Sequence, residues 1–283
     1  MNIIKGRTSP AIRACIYGVH GIGKSTFACA HPRALALDYE RGLEEIGVDR
    51  VRAPDNWKAS LELIREACSG PGDHQAVVID TADKLEVQAA ALVCQEGKKK
   101  TLADFDWGQG HAALEVKWRE LLFILEGASD KGRAVILVAH VQSKEVKDPT
   151  LGSYAKFIPA MNAKPWAATA QWADAVLFAN YEAGMYEGRA VMTGERFLYT
   201  QAGTGYDAKN RWGLPKALPL RWEDFSSAVA SYRRPAEAVV KSILSLAKTD
   251  EDRKKAQEFI EKASGDVPRL VAVESALLKK VSA

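Results

Sequence analysis

One segment of the sequence has residue types and a spacing that predict a specific chemistry. Residues 18–25 read GVHGIGKS and fit the pattern G-x-x-x-x-G-K-[ST] at every fixed position. A glycine-rich loop can aim backbone N–H groups at phosphate oxygens, while its lysine reaches the β- and γ-phosphates and its hydroxyl binds Mg²⁺. The motif predicts a site for ATP and Mg²⁺ formed by Gly18, Val19, His20, Gly21, Ile22, Gly23, Lys24, Ser25 and Thr26.

Carboxylates follow two apolar segments further along the chain. Residues 76–79 are followed by Asp80 and Thr81, which is typical of a strand end whose aspartate holds Mg²⁺ directly or through water. Residues 34–37 are followed by the sequence DYE, which ends in Glu40. Because parallel strands end at one sheet edge, we expect both carboxylates beside the phosphate loop. The alternatives are a structural aspartate and a surface glutamate that begins a turn.

Two further segments carry candidate catalytic residues. His140 directly follows the apolar residues 135–139, although a lone histidine at a strand end is usually structural. Lys209 and Arg211 precede the sequence WGLP. An arginine adds charge and a two-pronged donor to a phosphate in the transition state, and the alternative is a solvated pair before a turn. The candidate catalytic residues are therefore Lys24, Glu40, Asp80, His140, Lys209 and Arg211, and the candidate metal ligands are Ser25 and Asp80.

The hydrophobic pattern predicts the elements that position these residues. Continuous apolar strands are predicted at 14–17, 34–37, 76–80 and 134–139, and helices at 57–67, 82–94 and 111–126. This alternation is typical of an α/β fold with a parallel sheet covered by helices on both faces. Glycines at 184, 188 and 194 predict further strands at 175–179, 186–192 and 195–200. The last two are expected to form an antiparallel extension of the sheet edge.

The C-terminal part of the chain has a different character. Pro235, a capping-box pattern at Thr249 and Pro268 predict three short helices after Arg233. We therefore expect a core over residues 1–232 and a C-terminal helical region over residues 233–283. That region could pack on the core, mediate subunit contacts or recruit a single-strand-binding protein.

Composition limits the classes of protein that need consideration. The 283 residues are 47% hydrophobic and carry a formal charge of only +3, so a nucleic-acid site would have to be a local patch. The 4 cysteines form no C-x-x-C pair, which disfavours a zinc site or a disulfide framework. The N-terminal sequence MNIIKGR lacks the apolar core of a signal peptide, and no apolar run is long enough for a membrane span. We expect a cytoplasmic protein with no membrane partner.

Taken together, these motifs resemble one known family. The phosphate loop, the DYE sequence, Asp80 with Thr81, the strand ending at His140 and the segment AKNRWGLP at 208–215 resemble the RecA-like branch of the phage Sak proteins. Those proteins are AAA-type ATPases of single-strand annealing and recombination. The resemblance covers roughly residues 10 to 225 and implies a RecA-like core with a mainly parallel central sheet. Only about a dozen residues precede the first strand, so we expect no counterpart of the N-terminal polymerisation helix of RecA.

The resemblance also implies roles for individual residues. Glu40 would activate water, and His140 would sense the γ-phosphate. Lys209 and Arg211 would reach the γ-phosphate of a neighbouring subunit, so the protein would be a homo-oligomer, ring or filament, with ATP at the subunit interface. Hydrolysis would be slow and would depend on DNA and on assembly.

Single-stranded DNA is the partner that the resemblance implies. In RecA-like proteins, the segments after the third and fourth core strands bind it. Phosphate-tracking cations with interleaved aromatic side chains suit such a site, although a lysine run is more often a solvated face. In this chain the matching segments are residues 98–107 and 142–159, and the candidate DNA-binding residues are Lys98, Lys99, Lys100, Trp107, Lys144, Lys147 and Lys156, with Tyr154 and Phe157 nearby.

The sequence thus predicts an ATP-dependent single-stranded DNA-binding protein that promotes annealing or strand exchange in phage recombination. A second hypothesis is an assembly or signalling ATPase that binds a protein partner and no DNA. A small-molecule kinase is a third, but the sequence has no obvious arginine-rich lid to close over an acceptor.

Overall fold

The computed structural model describes residues 10–70, 72–150, 152–186 and 189–282, without the side chains of residues 183–192, 250 and 280–282. The N-terminal sequence MNIIKGR and the turn predicted at Gly188 lie outside the described residues. The chain forms two compact units. The first contains the residues up to Asn210 and Lys216–Trp222, and the second contains Arg211–Pro215 and the residues from Glu223 onward.

The first unit is built on a mainly parallel sheet. In the described residues its strands are β1 (Arg13–Gly18), β2 (Ala34–Asp38), β3 (Asp49–Arg52), β4 (Ala76–Asp80), β5 (Ala134–Asp148), β6 (Gly152–Pro159), β7 (Ala175–Tyr186), β8 (Arg189–Tyr199), β9 (Lys209–Asn210) and β10 (Ala217–Pro219). Eight of these strands lie side by side in the order β10-β8-β7-β1-β5-β4-β2-β3, while β6 pairs with β5 and β9 pairs with β7. The run from β7 to β3 is parallel. The predicted α/β fold with a mostly parallel sheet is confirmed.

Helices connect the parallel strands and bury their apolar faces against the sheet. They are α1 (Lys24–Cys29), α2 (Trp57–Ser69), α3 (Ala82–Glu96), α4 (Gln109–Asp130) and α5 (Ala163–Trp172). Trp57 of α2 stacks on Trp118 of α4 with ring centroids 6.4 Å apart. Trp118 also donates to the hydroxyl of Thr169 in α5 at 2.7 Å, so its indole N–H is satisfied inside the core. These contacts fix α2, α4 and α5 to one another within the core.

The strands at the antiparallel edge of the sheet, β7 and β8, begin and end at other residues than predicted. One strand, β7, runs from residue 175 through Tyr186, and β8 continues through Gly194, so the separate strands predicted at 186–192 and 195–200 are wrong. Gly194 has φ of 85°, a value that glycine tolerates without ending the strand. The expected antiparallel extension is present, because β8 pairs with β7 and β10 pairs with β8.

The segment after His140 forms strands where the sequence suggested a DNA-binding loop. β5 extends beyond the sheet and pairs with β6 in antiparallel register from Val141–Pro159 to Asp148–Gly152. We call these residues, 141–159, the β5–β6 ribbon. Its alternating side chains cover two faces, and neither face has the continuous apolar pattern of a buried strand. Helix α5, which follows the ribbon, is absent from the sequence prediction.

The second unit is helical. Helices α6 (Trp222–Arg233), α7 (Ala236–Leu246), α8 (Asp250–Ala263) and α9 (Val267–Ser282) account for most of it, although Trp222 itself belongs to the first unit. Thr249 caps α8 by accepting the N–H of Asp252 at 3.1 Å. Arg234 forms an ion pair with the buried Glu274 at 2.8 Å. Within the described ranges, no helix has both the length and the apolar character needed to cross a membrane.

Candidate nucleotide-binding site

The glycine-rich loop joins the end of β1 to the start of α1. Gly23 precedes α1 with φ of 107°, which is strained for any residue with a Cβ. Gly18 ends β1, and a Cβ at this position would collide with the carbonyl oxygen of Ala179 in the neighbouring strand β7. Two glycines of the motif are therefore required by the backbone itself, whatever the loop binds.

Lys24 lies folded into this loop. Its ammonium group donates to the carbonyls of Gly18 at 2.9 Å and Val19 at 3.0 Å. Burial lowers the pKa of Lys24, and the carboxylates of Asp80, Asp83 and Glu40 oppose that shift. A cavity of about 360 Å³ opens beside it, lined by His20, Gly21, Gly23, Lys24, Ser25, Thr26, Glu40, Asp80, Thr81 and His140.

Asp80 and Ser25 meet at the floor of this cavity. The Ser25 hydroxyl forms a hydrogen bond with the Asp80 carboxylate, yet burial raises the pKa of Asp80 to about 6. Among the described residues, Oδ2 of Asp80 is buried and has no hydrogen-bond partner. A hydroxyl and a buried carboxylate oxygen with an unused lone pair are suitable ligands for a hard cation, so these residues fit Mg²⁺.

Asp38, at the end of β2, shapes the turn that carries Glu40. Its Oδ1 accepts the backbone N–H groups of Glu40 at 3.2 Å, Arg41 at 2.7 Å and Gly42 at 3.3 Å. The Glu40 carboxylate then accepts the hydroxyl of Thr81 at 3.2 Å. The sequence predicts a role for Glu40 but none for Asp38 or Thr81, because their contributions depend on the folded turn.

His140 connects three elements at the cavity wall. Its Nε2 lies 3.5 Å from Oε2 of Glu40, and its ring lies 4.8 Å from the ring of His20 in the phosphate loop. Asp83, in the first turn of α3, accepts the backbone N–H of His140 at 3.0 Å and lies 2.9 Å from ring Nδ1. The hydrogen bond to Asp83 is the main cause that raises the pKa of His140. Asp83 was missed because its position in a helical first turn gives no motif.

Comparison with known proteins identifies the family. A family model described as an AAA domain matches residues 11–212. The chain belongs to the AAA-domain family. Proteins of this family are P-loop ATPases that generally bind ATP with Mg²⁺, so the chain is a nucleotide-binding protein of the AAA type. A search of curated proteins finds no match.

Neither Lys209 nor Arg211 is among the described residues that line the cavity beside the phosphate loop. Lys209 in β9 pairs with Val176 at the start of β7, whereas Ala179, opposite Gly18, lies three residues further along. A strand rises roughly 3.3 Å per residue, so Lys209 lies about 10 Å along the strand from the level of Gly18, where the phosphate loop begins. Arg211 belongs to the second unit. The predicted Lys209 and Arg211 pair is thus divided between the two units.

The first predicted DNA-binding group lies between α3 and α4 of the AAA domain. Lys98, Lys99 and Lys100 are exposed, and the indole of Trp107 is 98% exposed. Trp107 occupies a 3-10 turn, Asp106–Gly108, with φ of 54°. Because α3 has 15 residues, the lysine run lies about 20 Å along that helix from Thr81. These side chains are available to a partner but remote from the phosphate loop.

The second predicted group, on the β5–β6 ribbon, is divided between its two faces. Lys144 lies opposite Lys156, on the same face as Tyr154, whereas Lys147 lies on the other face. Lys156 forms an ion pair with Asp207 at 2.6 Å. Phe157 stacks on Phe178 with centroids 5.6 Å apart. Lys144 and Lys147 are the exposed cations of this second group, and Phe157 packs on Phe178 while remaining 37% exposed.

One cation near the loop was not predicted. Arg196 of β8 donates from Nη1 to the carbonyl of Ile22 at 3.3 Å. No sequence pattern signals this contact, because it depends on the pairing of β8 with β7. Arg196 thus contacts the backbone of the phosphate loop at Ile22.

Proposed function

We propose that this AAA-domain protein hydrolyses ATP and binds single-stranded DNA through the β5–β6 ribbon, and that it acts in phage recombination by annealing or strand exchange. The observation that carries the proposal is the position of His140, which lines the nucleotide cavity and directly precedes the ribbon. The recombination role is supported by the resemblance of the motifs to the phage Sak proteins.

The residues of the cavity supply the functions that ATP hydrolysis requires. The ammonium of Lys24 exchanges its contacts with the Gly18 and Val19 carbonyls for phosphate oxygens, and the loop N–H groups bind the same phosphates. Ser25 and Asp80 would hold Mg²⁺, which would neutralise phosphate charge when bound. Glu40, fixed by Thr81, orients the attacking water and accepts its proton.

The ribbon carries the groups that suit a single strand. Lys144 and the half-buried ring of Tyr154 share one face, so a cation for the phosphate and a ring for base stacking lie side by side. Lys147 places a second exposed cation on the opposite face. Exposed Trp107 and the lysine run at 98–100 extend the DNA surface in this proposal.

Assembly completes the proposed site. Lys209 lies away from its own phosphate loop and Arg211 lies in the second unit, an arrangement compatible with their action on ATP bound by a neighbouring subunit. A cation supplied in this way would make hydrolysis depend on contact between subunits. A single-strand-binding protein is a further partner in this proposal.

The test compares ATP hydrolysis and DNA binding in the parent protein and Lys24→Ala. We expect single-stranded DNA to stimulate hydrolysis by the parent, and Lys24→Ala to reduce hydrolysis about 100-fold because charge-assisted phosphate contacts are lost. Lys131→Ala, which removes an exposed lysine at the end of α4, serves as the control and should behave as the parent does.

The outcome also separates the proposal from the alternative. If the parent hydrolyses ATP but binds no single-stranded DNA in any nucleotide state, the DNA role is wrong. ATP-dependent assembly without DNA binding would then support an ATPase that acts on a protein partner.

A further inference from the structure

His140 lies where the central sheet becomes the β5–β6 ribbon. It is paired in register with Gly18 of β1, and the next residue, Val141, begins the pairing with β6. The carbonyl of His140 also accepts the N–H of Ala160, just after β6, at 2.8 Å. A displacement of His140 would therefore disturb both the phosphate loop and the base of the ribbon.

One carboxylate holds both the backbone and the ring of this residue. Oδ1 of Asp83 accepts the His140 backbone N–H at 3.0 Å, and Oδ2 lies 2.9 Å from Nδ1. An ionised carboxylate can only accept hydrogen bonds, so Nδ1 carries a hydrogen and Nε2 faces Glu40. The Asp83 side chain is only 12% exposed, which limits competition from water.

We propose that Asp83 is a positioning residue that orients His140 toward Glu40 and thereby transmits occupancy of the nucleotide pocket to the β5–β6 ribbon. The proposal rests on the proposed ATPase function and names the side chain that makes this connection. Among the described residues, Asp83 is not part of the cavity lining, so it acts through His140 and not on the phosphates.

Helix α3 holds the other end of the ribbon in a similar way. Glu86, one turn after Asp83, accepts the backbone N–H of Asn162 with both carboxylate oxygens at 3.1 Å. The first two turns of α3 thus hold the chain immediately before the ribbon and shortly after it. A change at His140 alone would move one side of the ribbon base relative to the other.

The same side chains offer a competing arrangement. Glu40, Asp83 and His140 each provide one ligand atom, and these atoms lie within 4.8 Å of one another, close enough to hold a cation. However, both oxygens of Asp83 already contact nitrogens of His140. This double contact favours a hydrogen-bonded positioning role over a metal site.

The first test measures the ribbon directly and requires no DNA. Hydrogen exchange of the amides in 141–158 is followed with and without a non-hydrolysable ATP analogue in the parent, Asp83→Ala and Lys84→Ala. We expect the analogue to change ribbon exchange in the parent and in Lys84→Ala, but not in Asp83→Ala. Lys84→Ala is the matched control, because it truncates the exposed side chain next to Asp83 in the first turn of the same helix.

Kinetics provide a second readout. In Asp83→Ala, kcat for ATP hydrolysis should fall about 10- to 100-fold while KM changes less than about threefold, because His140 loses its orientation but the phosphate contacts remain. If the parent binds the analogue and its ribbon exchange is unchanged, the positioning proposal is overturned while the ATPase function stands. If the parent binds no nucleotide, the proposed function itself is wrong.

The ring of His140 supplies a third readout that does not depend on turnover. Nitrogen NMR of the parent should show the hydrogen on Nδ1, and Asp83→Asn should transfer it to Nε2, because an amide N–H would then face Nδ1. An identical His140 signal in both proteins would overturn the proposal. Stoichiometric zinc or manganese in the purified parent would also overturn it, in favour of the metal site.

Discussion

Gly18 and His140 are direct partners in the parallel register of β1 and β5. The first glycine of the phosphate loop and the histidine at the base of the ribbon therefore leave the sheet at the same level. This adjacency arises because β5 lies beside β1, although more than a hundred residues separate the two strands in the chain. A ligand on the loop can thus affect the ribbon through a single pair of neighbouring strands.

Substitution of Gly18 by alanine should damage the site through the sheet. The added Cβ would meet the Ala179 carbonyl, so β1 and β7 must separate. We expect a loss of about 1–3 kcal/mol in the free energy of unfolding and a parallel loss of ATP affinity. Chemical denaturation and ATP titration measure both quantities. Gly47→Ala is the control, because nothing lies within 4 Å of its added Cβ, and an equal effect at both positions would contradict the explanation.

Asp80→Asn should stabilise the free protein but weaken binding of magnesium and ATP. Burial raises the pKa of Asp80 to about 6, so ionisation at higher pH costs folding free energy, and a neutral amide removes that cost. The gain should be about 1–3 kcal/mol at pH 8 without Mg²⁺. Thermal unfolding with and without Mg²⁺ and ATP tests both effects. An unchanged stabilisation by Mg²⁺ and ATP in Asp80→Asn would exclude Asp80 as a ligand.

The sequence predicted residues that line the cavity more readily than the residues that support them. The structure brings Lys24, Ser25, Glu40, Asp80 and His140 to one cavity, because each follows or ends a parallel strand and such ends share one edge. Asp83 was missed, and Asp38 and Thr81 were named without a role, because their roles depend on turn and helix geometry. Short polar residues in these places occur in most proteins, so spacing alone could not distinguish them.

The fold was likewise predictable only in part, where a hydrophobic pattern marks an element. Continuous apolar strands were predictable because burial on both faces leaves a pattern that few other elements share. The β5–β6 ribbon and β7 with β8 were harder, since an exposed ribbon has mixed polar side chains and its register is set by pairing. The ion pair of Lys156 with Asp207 and the packing of Phe157 on Phe178 are tertiary contacts that composition cannot reveal.

Glu86 should make stability depend on pH. Burial raises its pKa to about 7 from an ordinary value of 4.5, so between these values the unfolded chain releases a proton that the folded protein retains. The free energy of unfolding should therefore fall as pH rises through this window, by up to about 3 kcal/mol. Glu86→Gln lacks this slope, so its stability relative to the parent should increase up to pH 7 and then level off.

Denaturant titrations at a series of pH values measure this difference. Glu62→Gln, an exposed position on α2, is the control and should track the parent at every pH. A constant difference between Glu86→Gln and the parent across the window would show that Glu86 ionises normally in the folded protein.

The two exposed lysines of the ribbon should differ in their contribution to DNA binding. Lys144 shares a face with Tyr154, so a strand whose base stacks on that ring can place a phosphate on Lys144, whereas Lys147 points to the other face. Lys144→Ala should weaken single-strand binding and reduce the slope of log affinity against log salt by about 0.7. Lys147→Ala should leave both quantities nearly unchanged.

Titrations at several salt concentrations with a short oligonucleotide distinguish the possibilities, since the slope counts phosphate contacts and the affinity at one salt concentration does not. Tyr154→Leu adds an independent arm: it should lower affinity without changing the slope, because stacking releases no counterions. If both lysine variants lower the slope of log affinity against log salt by the same amount, the DNA contacts both faces of the ribbon. If both lysine variants keep the slope of the parent, the ribbon is not part of the DNA site. The lysine run at 98–100 and Trp107 are then the remaining surface to test.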